Sequence, residues 1–491
     1  MKRTLFWLLL VVIAPLSGMA QVDWDDFSSQ DDFEAFQKRK NQRFDDFVDT
    51  INDRFAKELE RQWEEFQVFT GEKRPTKPKP TVQPVAPDNH PVTSDELPAG
   101  EVKPEPQPHP SPQPQMEPQM QPIPQPQMMQ LQPSFYWQSI HCECPVSYGS
   151  LVLNGTDEKS VSNFWKSLAQ EGTESFIRQC REQINSLRLN DWGVYELSKS
   201  LAKKLFPSQY NEQAITTVFI VNQLGFNAKV GRKEKQLVCL LPIRDVVYSL
   251  PYLKCSDTRY YIFCPAPIPS PESSIYTYSL DFPQAQYIFD MNIYEPMNFD
   301  SAGDGHTFST HWLGEAISLQ VNKGFIDFYS KYPQVDLKVY ANAAPDPRWA
   351  KQIQNNLSPL LEERDEYEAT AALLNFMHKS FPYAYDDDQF GCEKYFFCEE
   401  NFYYKGSDCE DHAILFSYLV RTLVGLDVIL LDYPDHVATA VHFNDPTIKG
   451  DYYMLNGKKY IVCDPTYLGA SIGETMPRYK NSKPELIKLR R

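Results

Sequence analysis

Eighteen of the 39 prolines in this 491-residue chain fall between residues 72 and 133, among Gln-Pro repeats and methionines. Proline fixes φ and removes a backbone donor, so this tract cannot bury a core of its own. It reads as an extended linker, partly polyproline II, reaching at most about 3.1 Å per residue. It splits the chain into a short leading part and a long globular part that begins near Ser134.

The leading part has two pieces. Residues 1–20 hold Lys2 and Arg3, an apolar run from Leu5 to Ala14 and a small-residue end at Ala20. This is the pattern of a signal peptide cleaved after Ala20. No cysteine stands at the cleavage site, so no lipid anchor is expected. The mature chain is expected to be exported, periplasmic or extracellular. No later apolar stretch approaches the roughly 18 residues that a transmembrane helix needs. The net charge of −17 becomes −19 once Lys2 and Arg3 are removed, which disfavours nucleic acid and anionic membrane surfaces as partners.

Residues 21–71 read as an acidic amphipathic helix. Phe33, Phe44, Phe55 and Phe66 recur every eleven residues, and Phe36, Phe47, Ile51, Leu59 and Trp63 fill the same stripe. Eleven residues in three turns gives about 3.67 per turn, so the stripe stays nearly straight. An aromatic stripe needs a cover. Self-association in a coil, a protein partner and packing on this chain's own globular part all remain open.

The globular part reads as three regions. Residues 134–267 carry helices followed by short strands, residues 268–345 alternate like strands in a β-rich domain, and residues 346–491 form the third region. The first and third share a pattern. Ala214-Ile215 through Leu224-Gly225 matches Ala413-Ile414 through Val424-Gly425, each followed by antiparallel strands. The first region is read as a degenerate, inactive copy of the third, with Tyr210 or Asn211 at the head of its helix. An unrelated α+β region with a common helix–strand pattern is the alternative.

Chemistry concentrates in the third region. Ser407 and Glu410 stand in the Ser-x-x-Glu order of a capping box, which makes Cys409 the second residue of an apolar core helix. Unpaired backbone N–H groups and the positive dipole end favour a thiolate there. A strand at 436–443 places His436, Ala438, Ala440 and His442 on one face. Another at 458–464 ends at Asp464, before Pro465. A hairpin centred near Gly450 would set His436 opposite Asp464 and put His442 roughly 20 Å away along the strand. Cys409, His436 and Asp464 then have the parts of a thiol acyl-transfer site: nucleophile, base and orienter. Asp386-Asp387-Asp388 lacks the spacing of an EF-hand and reads as a solvated acidic loop. No cysteine pair has zinc-site spacing. Neither a metal nor a cofactor is expected. Among the ten cysteines, Cys392 and Cys398 are the nearest plausible disulfide.

These residues resemble the transglutaminase-like branch of the papain-like superfamily. The resemblance rests on Asp408-Cys409-Glu410-Asp411-His412-Ala413, His436-Val437-Ala438 and Asp464-Pro465-Thr466, and spans residues 370–470. Ser407-Asp408 replaces the family's usual glycine step, and no tryptophan follows the histidine. The resemblance implies an α+β catalytic domain, its helix headed by the cysteine and packed on an antiparallel sheet. It also implies a Cys-His-Asp triad and a thioester intermediate on a peptide or protein substrate. Hydrolysis by a peptidase or amidase is favoured over transamidation. A non-catalytic binding or assembly protein with a vestigial triad is the alternative.

Overall fold

The computed structural model describes residues 50–73, 80–87, 94, 96–97, 101–102, 127–264, 274–300 and 305–490. The fold mixes helices and sheets, as the α+β expectation requires. Residues 1–54 and 55–491 form two compact units. Of the first unit only residues 50–54 are described, and they are helical. The signal-peptide residues, Phe33, Phe36, Phe44 and Phe47 lie outside the described residues.

In the second unit a helical turn at 55–59 leads to strand β1 (Glu64–Phe66). Short strands β2 (Glu101–Val102), β3 (Met128–Leu131) and β4 (Cys142–Pro145) follow. Then come helices α1 (Glu158–Leu168), α2 (Thr173–Leu187), α3 (Asp191–Leu205) and α4 (Tyr210–Gln223). Five strands come next: β5 (Lys229–Lys233), β6 (Gln236–Pro242), β7 (Tyr252–Cys255), β8 (Thr258–Phe263) and β9 (Ile275–Thr277). A hairpin, β10 (His306–Trp312) and β11 (Glu315–Val321), precedes helices α5 (Lys323–Tyr329), α6 (Leu337–Ala341), α7 (Pro347–Leu357), α8 (Glu366–Ser380) and α9 (Asp386–Phe390). The chain closes with helix α10 (Cys409–Leu419) and strands β12 (Asp427–Tyr433), β13 (His436–His442), β14 (Tyr452–Leu455), β15 (Lys458–Cys463) and β16 (Glu485–Lys488).

Two six-stranded sheets organise this unit, in the orders β1-β9-β5-β6-β8-β7 and β14-β15-β13-β12-β16-β2. Read outward from the same end, they have one strand order. A buried helix precedes each set: α4 packs on β6 and β5, and α10 on β13 and β12. The registers agree as well. Lys233 faces Gln236 as Tyr433 faces His436. Phe263 faces Cys239 as Cys463 faces Thr439, and Tyr261 faces Tyr252 as Ile461 faces Tyr452. Adding 200 to each number of the β5–β6 and β7–β8 pairs gives β12–β13 and β14–β15 pairs (233 to 433, 261 to 461), and the three β6–β8 pairs from Leu241↔Tyr261 to Cys239↔Phe263 map onto the β13–β15 pairs in the same way. α4, and the π-helical turn Val420–Val424 that continues α10, are each closed by a glycine with positive φ, Gly225 at 101° and Gly425 at 79°, a left-handed stop that costs only glycine little. The sheets differ at one edge, where β1 joins antiparallel and β2 joins parallel.

Three expectations change. The helix expected through residue 71 ends near residue 59, and Phe66 lies in β1. Phe55 and Trp63 are buried, and Phe55 packs on Trp165, Tyr278 and Phe282 with ring centroids 5.0, 5.6 and 5.1 Å away. This end of the stripe is covered by the chain's own first sheet region.

The tract expected to be a free linker is likewise anchored where it is described. The Ala86 N–H donates to the Leu468 carbonyl at 2.8 Å, the Leu97 N–H donates to the Tyr452 carbonyl at 3.0 Å, and Leu97 enters the second core. Residues 128–131 form β3, paired with β4. Proline does not prevent this, because an edge segment needs only alternate backbone donors.

The β-rich reading of 268–345 also divides. β9 belongs to the first sheet, β10 and β11 form a separate hairpin, and 337–341 is helical rather than extended. Leu337, Val339, Tyr340 and Ala341 are all buried, so alternation carried no facing information there.

Candidate active site

The head of α10 is built one residue later than the sequence suggested. Ser407 is held by backbone pairing: its N–H donates to the Pro382 carbonyl at 3.2 Å, and its carbonyl accepts from Ala384 N–H at 3.1 Å. That approach needs Gly406, since a Cβ there would lie 2.5 Å from the Ala384 Cβ. Asp408 is therefore the N-cap, and Asp411 is its partner three residues on. The Asp411 carboxylate accepts from Asp408 N–H at 3.4 Å and from Phe396 N–H at 2.8 Å. Cys409 becomes the first helical residue. Its backbone N–H is among those that no preceding helical carbonyl satisfies.

The thiol is fully buried, and Sγ donates to Glu410 Oε2 at 3.2 Å. Glu410 is thus a thiol partner rather than a cap partner, a role that sequence reasoning missed.

His436 and Asp464 meet. Nε2 of His436 lies 2.7 Å from Asp464 Oδ2, and both residues are buried. Asp464 Oδ1 accepts from Thr466 N–H at 3.0 Å, Thr466 Oγ1–H at 2.9 Å and Tyr467 N–H at 3.2 Å. Burial opposes ionisation of this carboxyl. The His436 ring and the Thr466 donors outweigh it and hold the carboxyl below the usual range. With Nε2 committed to the aspartate, the neutral ring carries its hydrogen there and leaves Nδ1 as a base. That Nδ1 is buried and has no hydrogen-bond partner among the described residues. The ring stacks on Tyr479 at 5.3 Å and 12°, and Tyr479 OH donates to Asp435 at 2.8 Å.

The register differs by two from the expected one. Thr439 faces Cys463, so the ladder continues to Ala438, not His436, opposite Asp464. His436 reaches the aspartate as a diagonal neighbour, beyond the last ladder pair. His442 sits at the other end of β13, its Nδ1 2.9 Å from the Lys459 carbonyl. α10 and β13 pack directly against each other, so the strand bearing His436 lies on the helix headed by Cys409.

Two further histidines surround this segment. His412, one turn after Cys409, is fully buried near Pro465. Burial, reinforced by His378, pushes its imidazole down to about 3, so it is neutral at ordinary pH. His378 is also lowered by burial, with the Asp464 backbone beside it.

The acidic loop is less solvated than expected: Asp387 and Asp388 are exposed, but Asp386 is buried. Oxygens of Asp386, Asp408 and Asp411 lie within 4.8 Å of one another, as do those of Asp386, Glu393 and Glu410. Asp386 Oδ2 also accepts from Lys394 N–H at 2.7 Å. All-oxygen donors of this kind suit a hard divalent cation.

All ten cysteines are free thiols; Cys392 is exposed and Cys398 buried, so the expected disulfide is not formed.

Among the described residues the first sheet carries no such site. At the positions of Cys409, His436 and Asp464 stand Tyr210, Gln236 and Cys264. Tyr210 is 51% exposed. Asn211, at the place of Glu410, accepts from Leu237 N–H at 2.8 Å and donates to the Lys235 carbonyl at 3.0 Å. It ties the helix head to the turn where the base would sit.

No family model matches this chain, and no curated protein matches it either. No described helix is long and apolar enough to cross a membrane.

Proposed function

We propose that the chain is an exported thiol enzyme of the transglutaminase-like, papain-like kind, acting on amide bonds of peptides or proteins. The observation that carries this reading is the buried 2.7 Å contact between His436 Nε2 and Asp464, with Nδ1 left available on the strand against α10. Cys409 attacks the amide carbonyl as the thiolate, after its proton passes to His436 Nδ1. The carbonyl π electrons move to oxygen, where the Cys409 backbone N–H stabilises the charge. The tetrahedral intermediate collapses, the C–N bond breaks, and His436 protonates the departing amine. Water, deprotonated by the same imidazole, then cleaves the thioester and regenerates the thiol. Asp464 keeps the ring oriented and stabilises its charged form. Fully buried catalytic groups favour a slender, extended peptide segment as substrate over a bulky folded surface.

A second reading has one observation in its favour. The Cys409 thiol is engaged by Glu410, which suits a binding or assembly protein with a vestigial triad. An electrophilic acyl probe, followed by peptide mapping, separates the two. Labelling at Cys409 that is lost in His436→Ala supports the enzyme. Labelling only at other cysteines refutes it.

A further inference from the structure

Strand β4 and helix α2 pack directly against each other, and hydrogen bonds pin that contact on both sides of two cysteines. Gln179 Oε1 accepts from the Glu143 N–H at 2.9 Å, and Gln179 Nε2 donates to the Glu143 carbonyl at 3.4 Å. Gln183 Nε2 donates to the His141 carbonyl at 3.4 Å. Cys142 thus lies between the two strand residues that α2 holds, and Cys180 lies between the two glutamines that hold them. Both cysteines are fully buried, and both are thiols. The Cys180 S–H donates to the Cys142 sulfur, which holds the Cys142 thiol below its usual value. Other buried thiols give their proton to oxygen: Cys239 to the Ala214 carbonyl, Cys463 to the Ile461 carbonyl and Cys409 to Glu410. Cys144 shares the buried face of β4 with Cys142, but desolvation pushes its thiol up to about 12.

We infer that Cys142 and Cys180 are a disulfide-forming pair, which staples the end of the proline-rich tract to the first helical core. The pairing rests on the contact between strand and helix; its formation in the natural setting rests on the reading of the chain as exported, since exported compartments are oxidising. β3 and β4 make only a two-stranded sheet, which is marginal in water by itself and depends on its packing against α2. α2 is in turn tied inward, where Arg181 Nη2 donates to the Gln223 carbonyl of α4 at 2.7 Å. The oxidant is another disulfide, small or protein-borne, and exchange occurs as the chain folds, before β4 closes on α2. The Cys142 thiolate attacks one sulfur of that disulfide and expels the other as a thiolate. Cys180, losing its proton, then attacks the Cys142 sulfur and expels the remaining thiolate. One S–S bond forms and one breaks. Two cysteine thiols are oxidised, the oxidant is reduced to two thiols, and the two cysteine protons end on them.

The test is a disulfide map of the intact chain. Reduced chain unfolded in urea is refolded with reduced and oxidised glutathione, trapped with iodoacetamide and digested without reductant. One dominant link is expected, joining the peptide of Cys142 and Cys144 to that of Cys180. Fragment spectra should place the link on Cys142 and the alkyl group on Cys144. The oxidised chain should melt at least about 2 °C above chain refolded with dithiothreitol alone, and Cys142→Ser/Cys180→Ser should lose that difference. Recovery of Cys142 and Cys180 as alkylated thiols overturns the inference, as does a link from either to Cys144 or to any other cysteine. If refolding yields aggregate, the same map is made on natively purified chain opened in sub-denaturing urea with oxidised glutathione, and is read the same way. A second sample, collected from the periplasm of an expressing bacterium, separates the two readings. A link present in the refolded chain and absent there refutes export and leaves the pairing standing.

Discussion

The two sheet regions share strand order, register and a preceding core helix, yet among the described residues only the second places a cysteine, a histidine and an aspartate at its helix head and strand ends. In the second, the helix head carries Cys409 and the facing strand carries His436, with Asp464 behind it. In the first, the same places hold Tyr210, Gln236 and Cys264, and Asn211 ties the helix head to the strand turn. Strand order is thus a scaffold property, set by apolar runs such as Leu237–Leu241 and Val428–Leu431 that bury both faces. Chemistry is set by a few positions at the helix head and strand ends, where side chains can change without disturbing the sheet.

The comparison can be broken most severely at the aspartate. Asp464→Asn should lower turnover of a responsive amide substrate about 10⁴-fold, because the amide selects the wrong tautomer. Cys264→Ser, at the equivalent place, should leave turnover unchanged. Equal effects in the two regions would show that the second sheet is not the catalytic one.

Next in size is the histidine. His436→Ala should cost about 10²–10⁴-fold in rate, the usual contribution of a general base. His442→Ala should be nearly silent, since that ring bonds the Lys459 carbonyl at the far end of β13. Kinetics on both variants would expose a mistaken register if the losses were alike.

The edges offer a stability comparison. Phe55→Ala removes a ring buried among Trp165, Tyr278 and Phe282, and should cost about 3–5 kcal/mol. Removing residues 55–66 also deletes β1 from the first sheet. Urea melts should place these variants well below wild type. A fragment starting at residue 134 that melts like the intact chain would contradict the packing of this segment.

The smallest effect is on acid stability. Asp464 has a folded value below its unfolded one, ordinarily about 3.9. Its contribution is therefore full above that unfolded value and is lost as pH falls through the depressed folded value. Thermal melts of wild type should fall faster than those of Asp464→Asn below about pH 4. Parallel acid limbs would mean that the carboxyl is not stabilised in the folded state.

Much of the site was legible because strand alternation and the order Cys, His, Asp are local properties. The His436–Asp464 pairing could be reached from spacing alone, although Ala438 takes the opposite position in the ladder. The register missed by two because His436 and Asp464 both lie past the last pair, where strand twist brings diagonal neighbours together. The cap missed by one because Ser407 is recruited by Pro382 and Ala384, a contact that no local pattern announces. Tyr479 stacking on His436 depends on a distant loop and left no signal. Phe55 and Trp63 fitted the eleven-residue stripe, but only the fold shows what covers them. Glu410 looked like half of a capping box, and its contact with the thiol depends on Asp411 taking that role.

The central claim is that Cys409 is a nucleophile made so by its region's histidine. The direct measurement is the alkylation rate of each of the ten cysteines in the intact chain at neutral pH, mapped by mass spectrometry. Exposed Cys392 serves as the internal reference, and half-buried Cys264, whose thiol is pushed up to about 12 by desolvation, as the counterpart from the first region. The account predicts that Cys409 outpaces both despite its burial, and falls behind Cys392 in His436→Ala. A Cys409 slower than Cys392 in the wild type, or unchanged by loss of His436, would contradict it.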